Sequence, residues 1–227
     1  MTWFRPQRWA TAPVLVLALA VGCGDQTTPT DDDGSGTTTT GAGGSGGVGG
    51  AGGGGGQGGM LPFEVTSAAF DEGETIPLVH ECGPPAPVQG GPGDNQTPPL
   101  SWTAGPPGTQ SYAVVVRDVD ARVTQFPHGI IHWVIYDIPA ATLGLPLGVS
   151  DGYEVTTPAG AKQGLIQNTG FFGYFGPCSP NSVNTYVFTV HAMSETNLPV
   201  SMTDSERDIA LDIEQNAIAS ASLSGES

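Results

Sequence analysis

Two runs decide the fold: Ser111-Tyr-Ala-Val-Val-Val-Arg-Asp118 and Ile130-Ile-His-Trp-Val-Ile-Tyr-Asp-Ile138. Both are rich in β-branched and aromatic residues and are bounded by Gly, Pro, Asn and Asp, so they read as strands. Their apolar character is nearly continuous rather than alternating. That pattern predicts strands buried on both faces, near the middle of a sheet. Outward from this pair, Phe63–Ser67 alternates apolar and polar residues, and Tyr186–Ala192 is a further strand. Proline- and glycine-rich loops separate the strands, notably Gly83–Pro99 and Gly164–Pro180. One segment reads as a helix. Thr203 or Asp204 caps it, Asp204, Glu206 and Asp208 crowd its first turn, and Ile209, Ile213 and Ile218 fall near one face. The expectation is one mainly β domain over about residues 60–227, with a C-terminal helix.

The N-terminus has a different character. Arg5 and Arg8 precede an apolar run, Val14–Val21, followed by Gly22 and Cys23. This is the layout of a secretory signal over residues 1–22, and the run is short for a membrane span. The junction resembles the lipobox of bacterial lipoproteins, with Ala20 where leucine is usual. Cys23 would then become the lipidated first residue. An ordinary signal cut nearby, or an uncleaved anchor, are the other readings. Residues 24–59 are mostly Gly, Thr, Asp, Ala and Ser, a composition that cannot build a core and reads as a disordered tether. As a glycine-rich coil it would reach roughly 30–36 Å. The run Asp31–Asp33 lacks the spacing of a calcium loop.

Charge and cysteine use bound the partners. Without Arg5 and Arg8, four of the six basic residues face all 22 acidic ones, a formal charge of −18. Such a surface repels nucleic acid and anionic headgroups at long range. With Cys23 lipidated, Cys82 and Cys178 remain as a pair in an oxidising compartment. They are either a disulfide closing a long loop or two buried thiols. No metal-ligand spacing involves the four histidines, and no cofactor motif is present.

Two groups of residues are candidates for chemistry. Gly148-Val-Ser150-Asp-Gly152 matches the nucleophile elbow, yet neither flank supplies the strand-to-helix turn that motif needs. It reads as a loop. Elsewhere, Asp118 and Asp120 follow one buried strand, and His132 lies at the start of the next. The segment Gly170–Pro180 leads into Asn184-Thr-Tyr186. Carboxylates, an imidazole and a glycine-rich loop at one sheet edge could hold a small ligand. Each also has a plain structural reading as a turn cap, a core histidine or a turn.

The order of these landmarks resembles the phosphatidylethanolamine-binding protein family, in its bacterial Raf-kinase-inhibitor-like branch. Thr97-Pro-Pro-Leu-Ser-Trp102 is similar to the family's S-P-P-L-x-W, and Pro107–Tyr112 to P-x-G-T-x-S-[FY]. Asp118–Arg122 stands at D-P-D-A-P, His132-Trp133 at H-W and Asp137–Pro139 near N-[IL]-P. Gly173–Pro180 is similar to G-Y-x-G-P-C-P-P, and Ala217–Gly225 to A-x-A-x-L-x-G. The resemblance implies a large antiparallel sheet packed on a smaller one, with peripheral helices. It also implies a small edge pocket for anions and phosphate-bearing groups, lined by Asp118, Asp120 and His132. Gly176 and Pro177 would form its wall, and Tyr186 stands at a family pocket tyrosine. Asn184 replaces a usual histidine, and Val119, Arg122 and Ser179 replace prolines. The functional expectation is a non-catalytic binding protein for a small anionic or phosphorylated ligand, exported and held at the cell envelope through its lipid anchor alone. The alternative is a module that binds or inhibits a protein partner, a kinase or protease, independently of the pocket.

Overall fold

The computed structural model describes residues 61–84, 91–122, 127–166, 169–179 and 181–227. The signal, Cys23 and the tether lie outside the described residues. Eleven strands are present among them: β1 (Val65–Ser67), β2 (Glu74–Thr75), β3 (Leu100–Trp102), β4 (Ser111–Asp118), β5 (Ile130–Pro139), β6 (Gly144–Leu145), β7 (Lys162–Gln163), β8 (Leu165–Ile166), β9 (Phe171–Phe172), β10 (Thr185–Met193) and β11 (Ala217–Glu226). The single α-helix among the described residues, α1, spans Glu206–Asn216.

Six strands form the main sheet in the order β2-β11-β10-β4-β5-β7, and β1-β3-β6 form a smaller one. The main sheet is mixed rather than purely antiparallel, because β2 runs parallel to the end of β11. As the apolar runs predict, β4 and β5 are buried on both faces. Tyr112, Val114 and Val116 point into the core shared with the smaller sheet, beside Trp133, Phe188 and Val190. Ala113 and Val115 point the other way, onto Ile209, Ala210 and Ile213 of α1. Each fully buried valine or isoleucine contributes about 1.5–3 kcal/mol. A strand that packs on both faces therefore has no tolerance for a polar residue in its middle.

The helix starts later than expected. Its N-cap is Ser205, whose hydroxyl oxygen accepts the Asp208 N–H at 3.2 Å, rather than Thr203 or Asp204. It also ends before Ile218, which sits exposed in β11. The ten-residue strand β11 is the main departure from the sequence reading. Alanine and serine dominate it, so its composition carries little strand signal. Its alternation places Ala219, Ala221 and Leu223 toward the sheet–sheet core.

Two bulges interrupt β5. Near its end, Asp137 adopts a left-handed φ of 57°. Its carboxylate accepts the Leu198 N–H at 2.8 Å and an N–H of the Lys162 ammonium at 2.8 Å. The second bulge lies at the other end of the strand, at the candidate site.

Candidate functional site

Opposite β4, Trp133 pairs with Val116 and Ile131 with Arg117, leaving His132 as the extra residue of a bulge. An extra residue disrupts the alternation of side chains and re-aims one of them. His132 and Trp133 consequently point to the same side, each against an aromatic of the Gly173–Ser179 loop. The His132 ring stacks on Phe175 with centroids 5.0 Å apart, and Trp133 meets Tyr174 edge-on at 5.7 Å. The edge of His132 also meets Tyr186 at 5.1 Å. Only 4% of His132 is exposed.

The hydrogen bonds of the imidazole settle its tautomer. Nδ1 lies 2.8 Å from the Phe175 carbonyl oxygen and 3.3 Å from that of Gly176. Carbonyl oxygens only accept, so Nδ1 carries the proton and Nε2 is the acceptor of the neutral ring. Burial pushes the His132 pKa below the usual imidazole range, against the opposing pull of the Phe175 carbonyl and of Asp118.

Asp118 ends β4 and is 2% exposed. Its Oδ1 accepts the N–H groups of Asp120 at 3.0 Å and Ala121 at 2.8 Å, and its Oδ2 accepts from Asn184 Nδ2 at 2.8 Å. Three neutral donors thus hold one buried carboxylate. Asn184, standing in the histidine's place, is in turn fixed by Ser182, whose hydroxyl donates to Asn184 Oδ1 at 2.7 Å. Asp120 takes a different part. It is exposed, and its Oδ2 accepts the Thr185 N–H at 2.8 Å, tying the start of β10 to the turn after β4. That bond lowers its pKa. Arg122 donates from Nε to the Val119 carbonyl at 2.7 Å, so its guanidinium folds back over its own turn.

The loop opposite is held from three sides. Gly176 donates its N–H to Asn95 Oδ1 at 2.8 Å, and Asn95 Nδ2 donates to the Tyr174 carbonyl at 2.7 Å. A side chain at position 176 would begin 2.3 Å from the His80 carbonyl oxygen, which is why glycine stands there. Pro177 accepts the Cys82 N–H at 2.8 Å, and the Cys82–Cys178 disulfide closes the same junction with Cα atoms 5.3 Å apart. Of the two readings of this cysteine pair, the bridge is the one present. Tyr186 is fully buried, and its hydroxyl oxygen accepts the Cys178 N–H at 3.2 Å and bonds Ser179 Oγ at 2.8 Å.

The fold therefore gathers Asp118, His132, Gly176, Asn184 and Tyr186 at one end of β4, β5 and β10, with Pro177 in the adjoining loop. Asn95 is the member that sequence reasoning missed. It lies inside the Gly83–Pro99 loop, and its only local signal is a residue type that tolerates its left-handed φ of 54°. Ser150 is elsewhere. Its loop runs between β6 and β7 with no helix following, and its flank Tyr153–Thr157 forms only an isolated bridge at Glu154. The backbone there is held by Gln163 Nε2, which donates to the carbonyls of Ser150 at 3.0 Å and Gly152 at 2.8 Å. No three metal-ligating side chains converge among the described residues. No helix of the described residues is long and apolar enough to cross a membrane.

The profile of the phosphatidylethanolamine-binding proteins matches residues 66–227. The chain belongs to that family. Within it, the chain falls in the bacterial YbhB/YbcL branch. The chain is 34% identical over 164 residues to the UPF0098 protein of Aquifex aeolicus, covering 71% of this chain and 86% of the relative. The crystal structure of Escherichia coli YbcL superposes with a TM-score of 0.60 at 30% identity, covering 72% of this chain and 96% of that one. LppC of Mycobacterium tuberculosis, whose name classes it with lipoproteins, is 32% identical over 62% of this chain and 58% of its own length. The PEBP fold thus accounts for both sheets, and for the placement of the D-x-D-A turn, the H-W bulge and the G-Y-F-G-P-C loop around one point.

Proposed function

We propose that this PEBP-family protein is a non-catalytic binding protein of the cell envelope that takes a small anionic or phosphorylated ligand at the His132 cluster. One observation carries the reading: Nδ1 is committed to the loop carbonyls, so Nε2 is the ring atom left for a ligand. Asn184 adds the second hydrogen of its amide, the first being used by Asp118. A protonated oxyanion suits such a site, since its O–H donates to neutral Nε2 and its other oxygens accept from the amide. Protonating His132 turns the same contact into a charge-assisted bond. The lowered imidazole pKa fixes the sign of the pH effect. At neutral pH the ring is uncharged, and anion affinity rises as pH falls through and below the usual imidazole range.

Location draws support from the lipoprotein relative and from the disulfide, which persists in oxidising compartments.

Titration calorimetry of the full-length chain with inorganic phosphate and with phosphoethanolamine tests the reading. Saturable binding is expected, stronger at pH 5.5 than at 7.5, and His132→Ala should weaken it roughly tenfold or more. No heat or chemical-shift change at millimolar ligand would sink the small-ligand reading. Turnover of an ester or phosphoester that disappears with Ser150→Ala or His132→Ala would overturn its non-catalytic part.

A further inference from the structure

We propose that the open edge of β11 is a strand-addition site for an extended, basic peptide segment of a partner protein. The main sheet does not end cleanly. The two-residue strand β2 pairs only with Gly225 and Glu226, leaving the earlier part of β11 without a strand neighbour on that side among the described residues. Hydrogen bonding identifies which residues face outward. The Ser224 N–H donates to Glu72 Oε2 at 2.7 Å and its carbonyl accepts the Gly73 N–H at 3.0 Å, so Ser224 faces away from β10. Backbone direction alternates along an antiparallel strand, so Ser222 and Ser220 face the same way. Their outward N–H and C=O groups meet no partner among the described residues, and both residues are exposed.

This edge borders a groove of about 680 Å³ whose far wall is β1, the edge strand of the smaller sheet. Phe63, Phe70 and Leu223 give the groove an apolar floor, and Glu64, Asp71 and Glu72 stand along it. Among the described residues that line it there is no lysine or arginine. A strand of about five residues, laid in line with β2, would satisfy the free groups of Ser220 and Ser222. Its alternate side chains would meet the apolar floor and the three carboxylates. Charge selects the occupant: a basic segment gains from those carboxylates, while a second copy of this strongly acidic chain would be repelled.

The groove shares no residue with the His132 cluster, so either claim survives failure of the other. The test uses the full-length chain and a labelled capped hexapeptide, Lys-Val-Lys-Val-Lys-Val, followed by fluorescence anisotropy. Saturable binding is expected for this probe and not for its glutamate counterpart. N-methylating the probe's backbone should weaken binding about fivefold or more for each bond removed. Ser220→Pro deletes an outward N–H on an edge strand, where proline is tolerated, and should have a similar effect. The proposal is overturned by an absence of binding at millimolar probe, by equal binding of the acidic or the N-methylated probe, or by unaltered binding to a folded S220P variant. It is equally overturned if the chain sediments as a dimer that S220P dissociates. Should S220P fail to fold, the N-methylated probe decides by itself.

Discussion

Asn95 holds two backbone groups of the loop that faces His132, the Gly176 N–H and the Tyr174 carbonyl, from a single buried amide. Alanine there would orphan both groups and still have to adopt the left-handed φ of 54°. Asn95→Ala is therefore expected to cost about 2–4 kcal/mol, read from urea unfolding, and to weaken phosphate binding at His132 in parallel. His191 is the opposite kind of residue. Its Nδ1 is buried with no hydrogen-bond partner among the described residues, and burial, helped by nearby Arg117, pushes its pKa down to about 4 from 6.5. Because the unfolded chain binds the proton more readily, this stability is present above about pH 6.5 and is lost as pH falls toward 4. His80 and His132 are shifted the same way, by burial first. His191→Leu should flatten the thermal-melt profile between pH 7 and 4, by at most about 3 kcal/mol.

Elements differ in how plainly their sequences announce them. The valine run of β4 and the Ile-Ile-His-Trp-Val-Ile-Tyr run of β5 name themselves, because strands buried on both faces must be apolar at every position. The strand β11 does not, because Ala and Ser fit a crowded sheet without preferring it. Its place beside β10 comes from the pairing of Thr185 with Glu226 through Ala192 with Ala219. The same limit applies to the helix end: Ile218 fits a helical face by spacing, but β11 already claims it. Cys82 and Cys178 join two loops across 96 positions of sequence. Closing so long a loop in the unfolded chain is worth about 4–5 kcal/mol in the chain-entropy model, less any strain in the native state. The double variant Cys82→Ser, Cys178→Ser should lose about 2–5 kcal/mol in urea unfolding. It should also loosen the Gly176–Ser179 wall, seen as faster amide exchange there.

Across the described residues, one end of the main sheet carries the His132 cluster, Phe63 stacks on Tyr112 toward the other, and the β11 edge lies open beside an acidic groove. The amino-acid sequence by itself determined the central strands, the two-sided burial, the acidic charge and the order of landmarks that marks a PEBP. These are properties of composition and spacing, which survive without knowledge of neighbours. Most of the candidate site was legible as well, since Asp118, His132, Gly176, Asn184 and Tyr186 lie in recognisable blocks. Tertiary structure alone decided what each residue does there. A bulge turned His132 toward Phe175, Asn184 went to Asp118, Asp120 went to Thr185, and Asn95 arrived from a loop 81 positions away from Gly176. Which strand lies at an edge was likewise beyond the sequence. An unpaired backbone group is defined by the absence of a neighbour, and neighbours are set by the fold of the whole chain.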